Sequence, residues 1–363
     1  METTARTSEI KPQKVNYSQL DTIRFLTISI IVWSHSLFPE WYSDVPRDAA
    51  GEFLKVIVIQ IGAISTIVFF IVSGILMNSK LKHYNIKSYL VERFPRVYAP
   101  WILIVLINAV LLFILQLYTK EIEFRWDAGH LMQIAYNIML SLMIHGPYWF
   151  IYTYLIGMII LIIFKRYSSN FNFGIVLLLA TFFYALNFYG GWIDTLHSKA
   201  VFSYTFFIWL GFQIQSRWDD NIKKVKEISW FVLVPLLAVL FSAAAYDGYN
   251  LLVQEVKDPY ASNRLINIAF SLVFFVALIK LGEIPSINRL RPRKIVFGIY
   301  LINSIIILKF TYLFSNRINS LSGVSTWTLL LLQVIYFVVV LFLTWLIVHY
   351  LVRSEKYRWI VGH

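Results

Sequence analysis

Long apolar segments alternate with short polar ones along nearly the whole chain. A helix needs about 20 apolar residues to cross a bilayer, at a rise of about 1.5 Å per residue. Eleven windows of this kind cover residues 20–38, 53–77, 98–118, 130–147, 148–164, 171–188, 199–215, 228–246, 263–281, 295–313 and 324–350. The pattern predicts an all-α protein that crosses a membrane many times.

The window at 130–147 differs from the others because it is amphipathic and ends at Gly146 and Pro147. An amphipathic segment that stops at helix-breaking residues is typical of a helix lying at the membrane surface. We therefore predict an external interfacial or partly inserted helix at 130–147 and about ten transmembrane helices elsewhere. Ten crossings place both termini on one side of the membrane.

The charges of the loops predict which side that is. With the N-terminus in the cytoplasm, the inner segments hold 23 of the 32 Lys and Arg residues, as the positive-inside rule requires. We expect a cytoplasmic tail at 1–19, a single membrane domain at 20–350 and a cytoplasmic tail at 351–363. The first residues lack the apolar core of a signal peptide, so the first helix is expected to stay in the mature protein.

Composition narrows the class of protein further. Hydrophobic residues make up 58% of the chain, charged residues 14%, and the mean hydropathy is +0.66, values of a polytopic membrane protein. The net charge of +12 follows from the inner loops, so no nucleic-acid partner is expected. The absence of cysteine excludes disulfides, thiolate catalysis and thiolate metal sites, and we find no metal or nucleotide motif.

The first predicted helix carries the ionisable residues Asp21, Arg24 and His35. Helical geometry places Arg24 and His35 on one face, about 16 Å apart along the axis, with Asp21 one turn before Arg24. Ionisable side chains are costly in hydrocarbon, which favours a protein interior or a wet cavity. The alternative is an anchor pair at the headgroups with His35 at the opposite interface. His35 is the best acid–base candidate, since histidine titrates near neutrality.

A second candidate site is the predicted inner loop at 91–101, where Arg93 and Arg96 are three residues apart. Two guanidinium groups at this spacing suit phosphate oxygens, and Lys80 and Lys82 add positive charge upstream. An ordinary anchor that binds acidic lipid headgroups explains the same residues equally well.

Other polar and aromatic residues are candidates for the wall of a cavity. Tyr148, Trp149 and Tyr152 cluster at the predicted outer end of a span, where an aromatic belt is the default explanation and stacking on a sugar ring the alternative. Ser73 and Asn303 lie within apolar helices. Helix packing explains both residues, although each could help to line a polar cavity.

Taken in order, these motifs resemble those of acyltransferase family 3, multi-span enzymes that move an acyl group, usually acetyl, onto sugars of cell-surface glycans. The resemblance extends over essentially the whole chain. The matching positions are Leu20, Asp21, Arg24 and His35 in the first helix, Phe69, Phe70, Ser73, Gly74 and Leu76, then Arg93, Arg96 and Pro100, then Trp149 and Phe150, and Gly298 to Ile302.

The resemblance implies a role for several residues. The histidine of the first helix is the catalytic residue in that family, so the role passes to His35, and the essential arginine before it corresponds to Arg24. The two arginines of the loop, Arg93 and Arg96, would contact the acyl donor. The chain departs from the family at Asn303, where many relatives have histidine, so no second histidine role is carried over.

The resemblance therefore implies an acyltransferase of the inner cell membrane with acyl-coenzyme A, most simply acetyl-CoA, as donor and an exported or cell-surface glycan as acceptor. We expect acyl-CoA as a co-substrate with no bound cofactor, the lipid bilayer as surroundings, and a homo-oligomer as an open alternative. The chief rival is a transporter or flippase of a glycan or lipid-linked sugar, which would explain the spans and polar stripe without chemistry. A third possibility is an inactive relative that acts in assembly or sensing.

Overall fold

A computed structural model describes residues 18–42, 48–122, 125–318 and 324–363. The described residues form helices and turns and contain no strand. The helices are α1 (Ser18–His35), α2 (Ala49–Gly62), α3 (Ser65–Leu81), α4 (Ile86–Arg93), α5 (Ala99–Tyr118), α6 (Ala128–Leu140), α7 (Trp149–Ile163), α8 (Phe171–Gly190), α9 (Val201–Ser216), α10 (Trp218–Glu227), α11 (Trp230–Val253), α12 (Leu265–Leu281), α13 (Pro285–Arg289), α14 (Pro292–Ile318) and α15 (Thr326–Arg353). The predicted tail at 1–19 lies outside the described residues up to position 17, as do residues 43–47.

Each of the eleven apolar windows coincides with a helix or a helix pair, which confirms the all-α prediction. Five helical segments of the described chain are long and apolar enough to cross a bilayer. They are Ala49–Leu81, Ile86–Tyr118, Phe171–Gly190, Trp230–Val253 and Thr326–Arg353. The chain is therefore a helical membrane protein, and the count of ten spans stays a prediction.

The predicted interfacial helix is one arm of a bent pair. The helical segment Ala128–His145 and α7 meet at an angle of 70°, and the break contains Gly146 and Pro147, where the sequence predicted the helix to end. Together the two arms form either one broken span or a re-entrant pair. The bend brings the N-terminal end of α7 to the wall of the cavity described below.

A second break separates α2 from α3 at Ala63 and Ile64. The amide of Asn267 in α12 donates to the carbonyl of Ala63 at 3.0 Å, and the hydroxyl of Ser271 donates to the carbonyl of Ile64 at 3.2 Å. Backbone groups freed in a membrane must find partners within the protein. Polar side chains of α12 therefore stabilise the interruption.

The core of the bundle is built on α1 and α3. Helix α3 makes its most extensive contact with α9, where Gly74 and Gly211 face each other. Helix α1 packs against α2, α3, α12, α14 and α15. Because α1 is surrounded by other helices, its polar stripe faces protein rather than lipid.

Candidate active site

A cavity of about 690 Å³ lies at the end of the bundle where α1 ends. Its wall combines the last turns of α1, the break between α2 and α3, the bend before α7, the loops before α9 and α12, and the middle of α14. The volume falls within the range of about 300–1,000 Å³ that is usual for small-molecule sites. The polar residues of the wall include His35, Asn108, His145, His197, Asp258 and Ser304.

His35 is the last residue of α1 and meets Asn303 of α14. The Nδ1 atom of His35 lies 3.0 Å from Oδ1 of Asn303. The amide nitrogen of Asn303 donates to the carbonyls of Ile299 at 2.9 Å and Tyr300 at 2.7 Å. Because the amide nitrogen of Asn303 donates both of these bonds, the amide oxygen is the atom that faces His35. An amide oxygen only accepts hydrogen bonds, so Nδ1 of His35 carries the proton. A neutral His35 then has a free lone pair on Nε2, as a general base requires.

Tyr148 does not line the cavity but belongs to a buried hydrogen-bond network directly behind its wall. Its hydroxyl contacts the side chains of Asn108 in α5 and Ser304 in α14, and it donates to the carbonyl of Leu301 at 3.2 Å. The hydroxyl of Tyr300 donates to the carbonyl of Pro147 at 2.7 Å. The network joins α5, the bend before α7 and the turn of α14 that carries Asn303, so it positions the partner of His35.

A second imidazole faces the same cavity. His197, in the loop before α9, bonds through Nδ1 to the carboxylate of Asp258, in the loop before α12. Asp258 also accepts from the backbone N–H of His197 at 3.0 Å. Burial raises the pKa of the Asp258 carboxyl, but the charge and hydrogen bonds of His197 outweigh burial and hold that pKa below its usual value. Asp258 is therefore an ionised carboxylate that accepts a hydrogen bond from the imidazole N–H of His197.

Trp149 borders the cavity, but its ring is mostly covered by other rings. The His197 ring meets it edge to face at a centroid distance of 4.7 Å, and the Tyr204 ring lies 5.1 Å away. Only 7% of Trp149 is exposed. Its main contact in the cavity is therefore with His197.

The other end of α1 holds an ion-pair cluster. Arg24 donates to Asp21 at 3.0 Å, and the Nε atom of Arg293, at the start of α14, contacts both oxygens of the same carboxylate at 2.8 and 3.1 Å. Arg24 and His35 lie on one continuous helix eleven residues apart, about 16 Å along the axis. Arg24 therefore does not belong to the group of residues around His35.

Arg93 occupies a half-buried position at the same end as Arg24. Its Nη2 atom lies 2.7 Å from the sulfur of Met77 in α3, and its Nε atom is buried with no hydrogen-bond partner among the described residues. Tyr154 of α7 lies close enough to interact electrostatically with the guanidinium. An unsatisfied buried guanidinium N–H is rare in proteins and calls for an explanation.

Arg93 and the cavity are connected along two helices. In α3, Phe69 lines the cavity and Met77 contacts Arg93, a separation of about 12 Å along the axis. In α7, the ring of Phe150 at the cavity stacks on that of Tyr154, with centroids 6.2 Å apart. The two helices therefore extend from Arg93 to the cavity that His35 lines.

The remaining candidates lie away from the cavity wall. Lys80 pairs with Glu92 at 2.7 Å, and Lys82 and Arg96 are exposed near Arg93. The Tyr152 hydroxyl donates to the carbonyl of Ser198 at 2.7 Å, just after His197. Ser73 donates to the carbonyl of Phe69 at 2.8 Å within α3, an arrangement that satisfies its hydroxyl locally.

Comparison with known proteins identifies the family. A family model described as an acyltransferase domain, that of acyltransferase family 3, matches residues 17–349. The match covers nearly the whole chain, so the protein belongs to acyltransferase family 3. With its apolar helices, it is a membrane acyltransferase. No curated protein and no solved structure matched the chain.

The sequence did not single out His197 and Asp258. They are 61 residues apart, in two different loops, and neither lies in an apolar segment where a charge would stand out. A weak signal is present for Asp258, which lies in the polar segment 247–262 between two apolar windows. Asn108 was missed as well, although it is a polar residue within an apolar helix, which is a signal that can be searched for.

Proposed function

We propose that the protein transfers an acyl group, most simply acetyl, from acyl-coenzyme A to a hydroxyl of an exported or cell-surface glycan at the inner cell membrane. The observation that carries the proposal is His35, whose Nδ1 is held by Asn303 in the wall of a large cavity. In a member of an acyltransferase family, such an imidazole is suited to accept a proton from an attacking hydroxyl.

The proposed reaction is direct transfer. The acceptor oxygen forms a bond to the thioester carbonyl carbon while Nε2 of His35 takes the hydroxyl proton. The carbon–sulfur bond breaks, and the proton passes from His35 to the departing thiolate. The bond from Nδ1 to Asn303 (3.0 Å) stabilises the imidazolium that forms between the two steps. A covalent acyl-His35 intermediate is the alternative route.

The donor is proposed to enter from the end that carries Arg24 and Arg93. The buried Nε of Arg93 lacks a protein partner, and Arg96, Lys80 and Lys82 add positive charge nearby, which suits the phosphates of coenzyme A. The thioester arm would then extend along α3 and α7 to His35. Arg24 lies about 16 Å from His35 along α1, so we assign it to the donor end rather than to the oxyanion, with Asp21 orienting it.

The decisive test of the chemistry is the variant His35→Ala. We expect acylation of surface polysaccharide, measured by mass spectrometry of material from cells making each variant, to fall at least about 100-fold, since a general base contributes about 100- to 10,000-fold. His130→Ala, at the start of α6 and away from the cavity, is the matched control. Acylation that persists in His35→Ala at normal membrane levels would refute the assignment.

Donor binding separates the enzyme from a transporter or flippase. We expect purified protein to bind acetyl-CoA, and Arg93→Ala and Arg96→Ala each to weaken that binding at least about tenfold, since charge-assisted hydrogen bonds contribute about 1.5–3 kcal/mol. Lys87→Ala, exposed on the same short helix α4, should bind normally. Protein that moves a glycan across vesicles without binding acetyl-CoA would instead support the transporter.

A further inference from the structure

We propose that the His197–Asp258 pair is the acceptor-binding group of the cavity, and that Nε2 of His197 forms a hydrogen bond with a second hydroxyl of the acceptor, beside the hydroxyl that reacts at His35. The inference rests on the proposed function and specifies the substrate class. The acceptor is a sugar with at least two neighbouring hydroxyl groups. One is deprotonated by His35, and the other is held by His197.

The hydrogen bonds around His197 leave one ring nitrogen free. Asp258 binds Nδ1 and the backbone N–H of the same residue, which places a proton on Nδ1 and leaves Nε2 without a partner among the described residues. The edge-to-face contact with Trp149 at 4.7 Å holds the ring plane. A fixed imidazole that lines a cavity and has an unpartnered ring nitrogen is suited to bind a hydroxyl, which can both donate and accept a hydrogen bond.

Both imidazoles belong to one cavity. His35 and His197 line it together, and they are close enough to interact electrostatically. His197 comes from a loop at the cavity end of the bundle, whereas the proposed donor path reaches His35 from the other end along α3 and α7. His197 is therefore placed to meet the acceptor and not the donor.

The pair is not needed simply to join its two loops, because other contacts already do so. The hydroxyl of Thr195 donates to the carbonyl of Lys257 at 2.7 Å, and Asp194 forms ion pairs with Lys199 and Lys257. Ion pairs this exposed usually contribute little to stability, but the hydrogen bond from the Thr195 hydroxyl joins the same two segments. The His197–Asp258 pair at the cavity wall is therefore better explained by a role in binding the acceptor.

The backbone supports the same conclusion. Asp258 adopts a left-handed conformation with φ of +59°, which few residues other than glycine, asparagine and aspartate adopt readily. Left-handed conformations of residues other than glycine persist where the surrounding structure holds them, and they cluster at functional sites. At position 258 the conformation directs the carboxylate at both N–H groups of His197.

The experiment uses His197→Asn in the full-length protein. An asparagine amide can replace Nδ1–H toward Asp258 but has no atom at the position of Nε2. We expect KM for the acceptor, polysaccharide purified from cells that lack the protein, to rise about tenfold, as loss of a hydrogen bond predicts. KM for acetyl-CoA should stay within about twofold, because the donor does not contact His197. Lys199→Met, in the same loop, should leave both constants unchanged.

The variant Asp258→Asn gives an independent measurement. We expect it also to raise the acceptor KM, and the double variant His197→Asn/Asp258→Asn to be no worse than His197→Asn alone, because residues that act as one unit are not additive. An unchanged acceptor KM in His197→Asn overturns the inference while leaving the proposed function intact, and so does an equal rise in both KM values. A wild-type protein that acylates no polysaccharide overturns the proposed function and this inference with it.

Discussion

At the scale of single residues, Asn303 determines which ring nitrogen of His35 carries the proton. Its amide nitrogen is occupied by the carbonyls of Ile299 and Tyr300, so only its oxygen is available to His35. Many relatives carry histidine where this chain has Asn303, as the family resemblance implies. In this protein the position supplies a neutral acceptor that selects one tautomer of His35.

Replacing Asn303 by leucine tests that assignment. We expect Asn303→Leu to lower kcat about 10- to 100-fold with little change in KM for acetyl-CoA, because His35 loses its tautomer preference and part of the general-base contribution. Ser29→Ala in α1 is the control, since the Ser29 hydroxyl donates to the carbonyl of Phe25 in its own helix at 2.8 Å and Ser29 does not line the cavity. Steady-state kinetics on purified protein provide the comparison, and a wild-type kcat in Asn303→Leu would contradict the role.

At the scale of helices, the contact between α3 and α9 fixes the frame that carries the site. A Cβ atom at Gly74 would come within 2.1 Å of the carbonyl oxygen of Ile208, and one at Gly211 within 2.2 Å of that of Ile71. Small residues allow backbones in a membrane to approach this closely. Because α3 also carries Thr66 and Phe69 of the cavity wall, the spacing of the two helices helps to set the shape of the cavity.

We therefore expect Gly74→Ala to destabilise the protein by about 2 kcal/mol or more, since the added methyl group meets backbone and cannot be relieved by a side-chain rotation. Gly129→Ala is the matched control, because a Cβ there meets only the end of the Asp127 side chain at 3.2 Å. Thermal unfolding of purified protein in detergent measures both. Equal melting temperatures for the two variants would show that the contact between α3 and α9 accommodates the added methyl group.

At the scale of the whole molecule, basic residues from distant parts of the chain meet at the end opposite the cavity. Lys165 donates to the carbonyl of Tyr84 at 2.8 Å, Arg293 binds Asp21, and the C-terminal His363 contacts the carbonyl of Lys294 at 2.7 Å. The loops that the sequence assigned to the cytoplasm are thus neighbours in space. Their proximity supports one common side for these loops.

Labelling of introduced cysteines tests the topology directly, because the chain has no cysteine of its own. We expect Lys257→Cys, in the exposed loop beside Asp258, to react in intact spheroplasts with a maleimide that cannot cross membranes. Lys224→Cys, exposed on α10, should react only after the membrane is opened. Labelling of both positions from outside, or the reverse order, would contradict ten spans with cytoplasmic termini.

The sequence predicted much of the fold because crossing a bilayer requires long apolar segments, and each window coincided with a helix. It also marked Asp21, Arg24 and His35, since an ionisable residue stands out against an apolar background. It did not distinguish α2 and α3 within their single window, because the break at Ala63 depends on Asn267 and Ser271 of a distant helix. Local pattern carries no information about partners supplied from elsewhere in the chain.

The sequence by itself therefore determined the class of protein, the family, the helical segments and the polar stripe of α1. Only the tertiary structure decided what the stripe faces, since it pairs His35 with Asn303, 268 residues away. It also brought His197 and Asp258 to the same cavity. The physical reason is that a hydrogen bond depends on atoms meeting in space, whereas hydrophobic patterning records only where each residue sits relative to its neighbours in the chain.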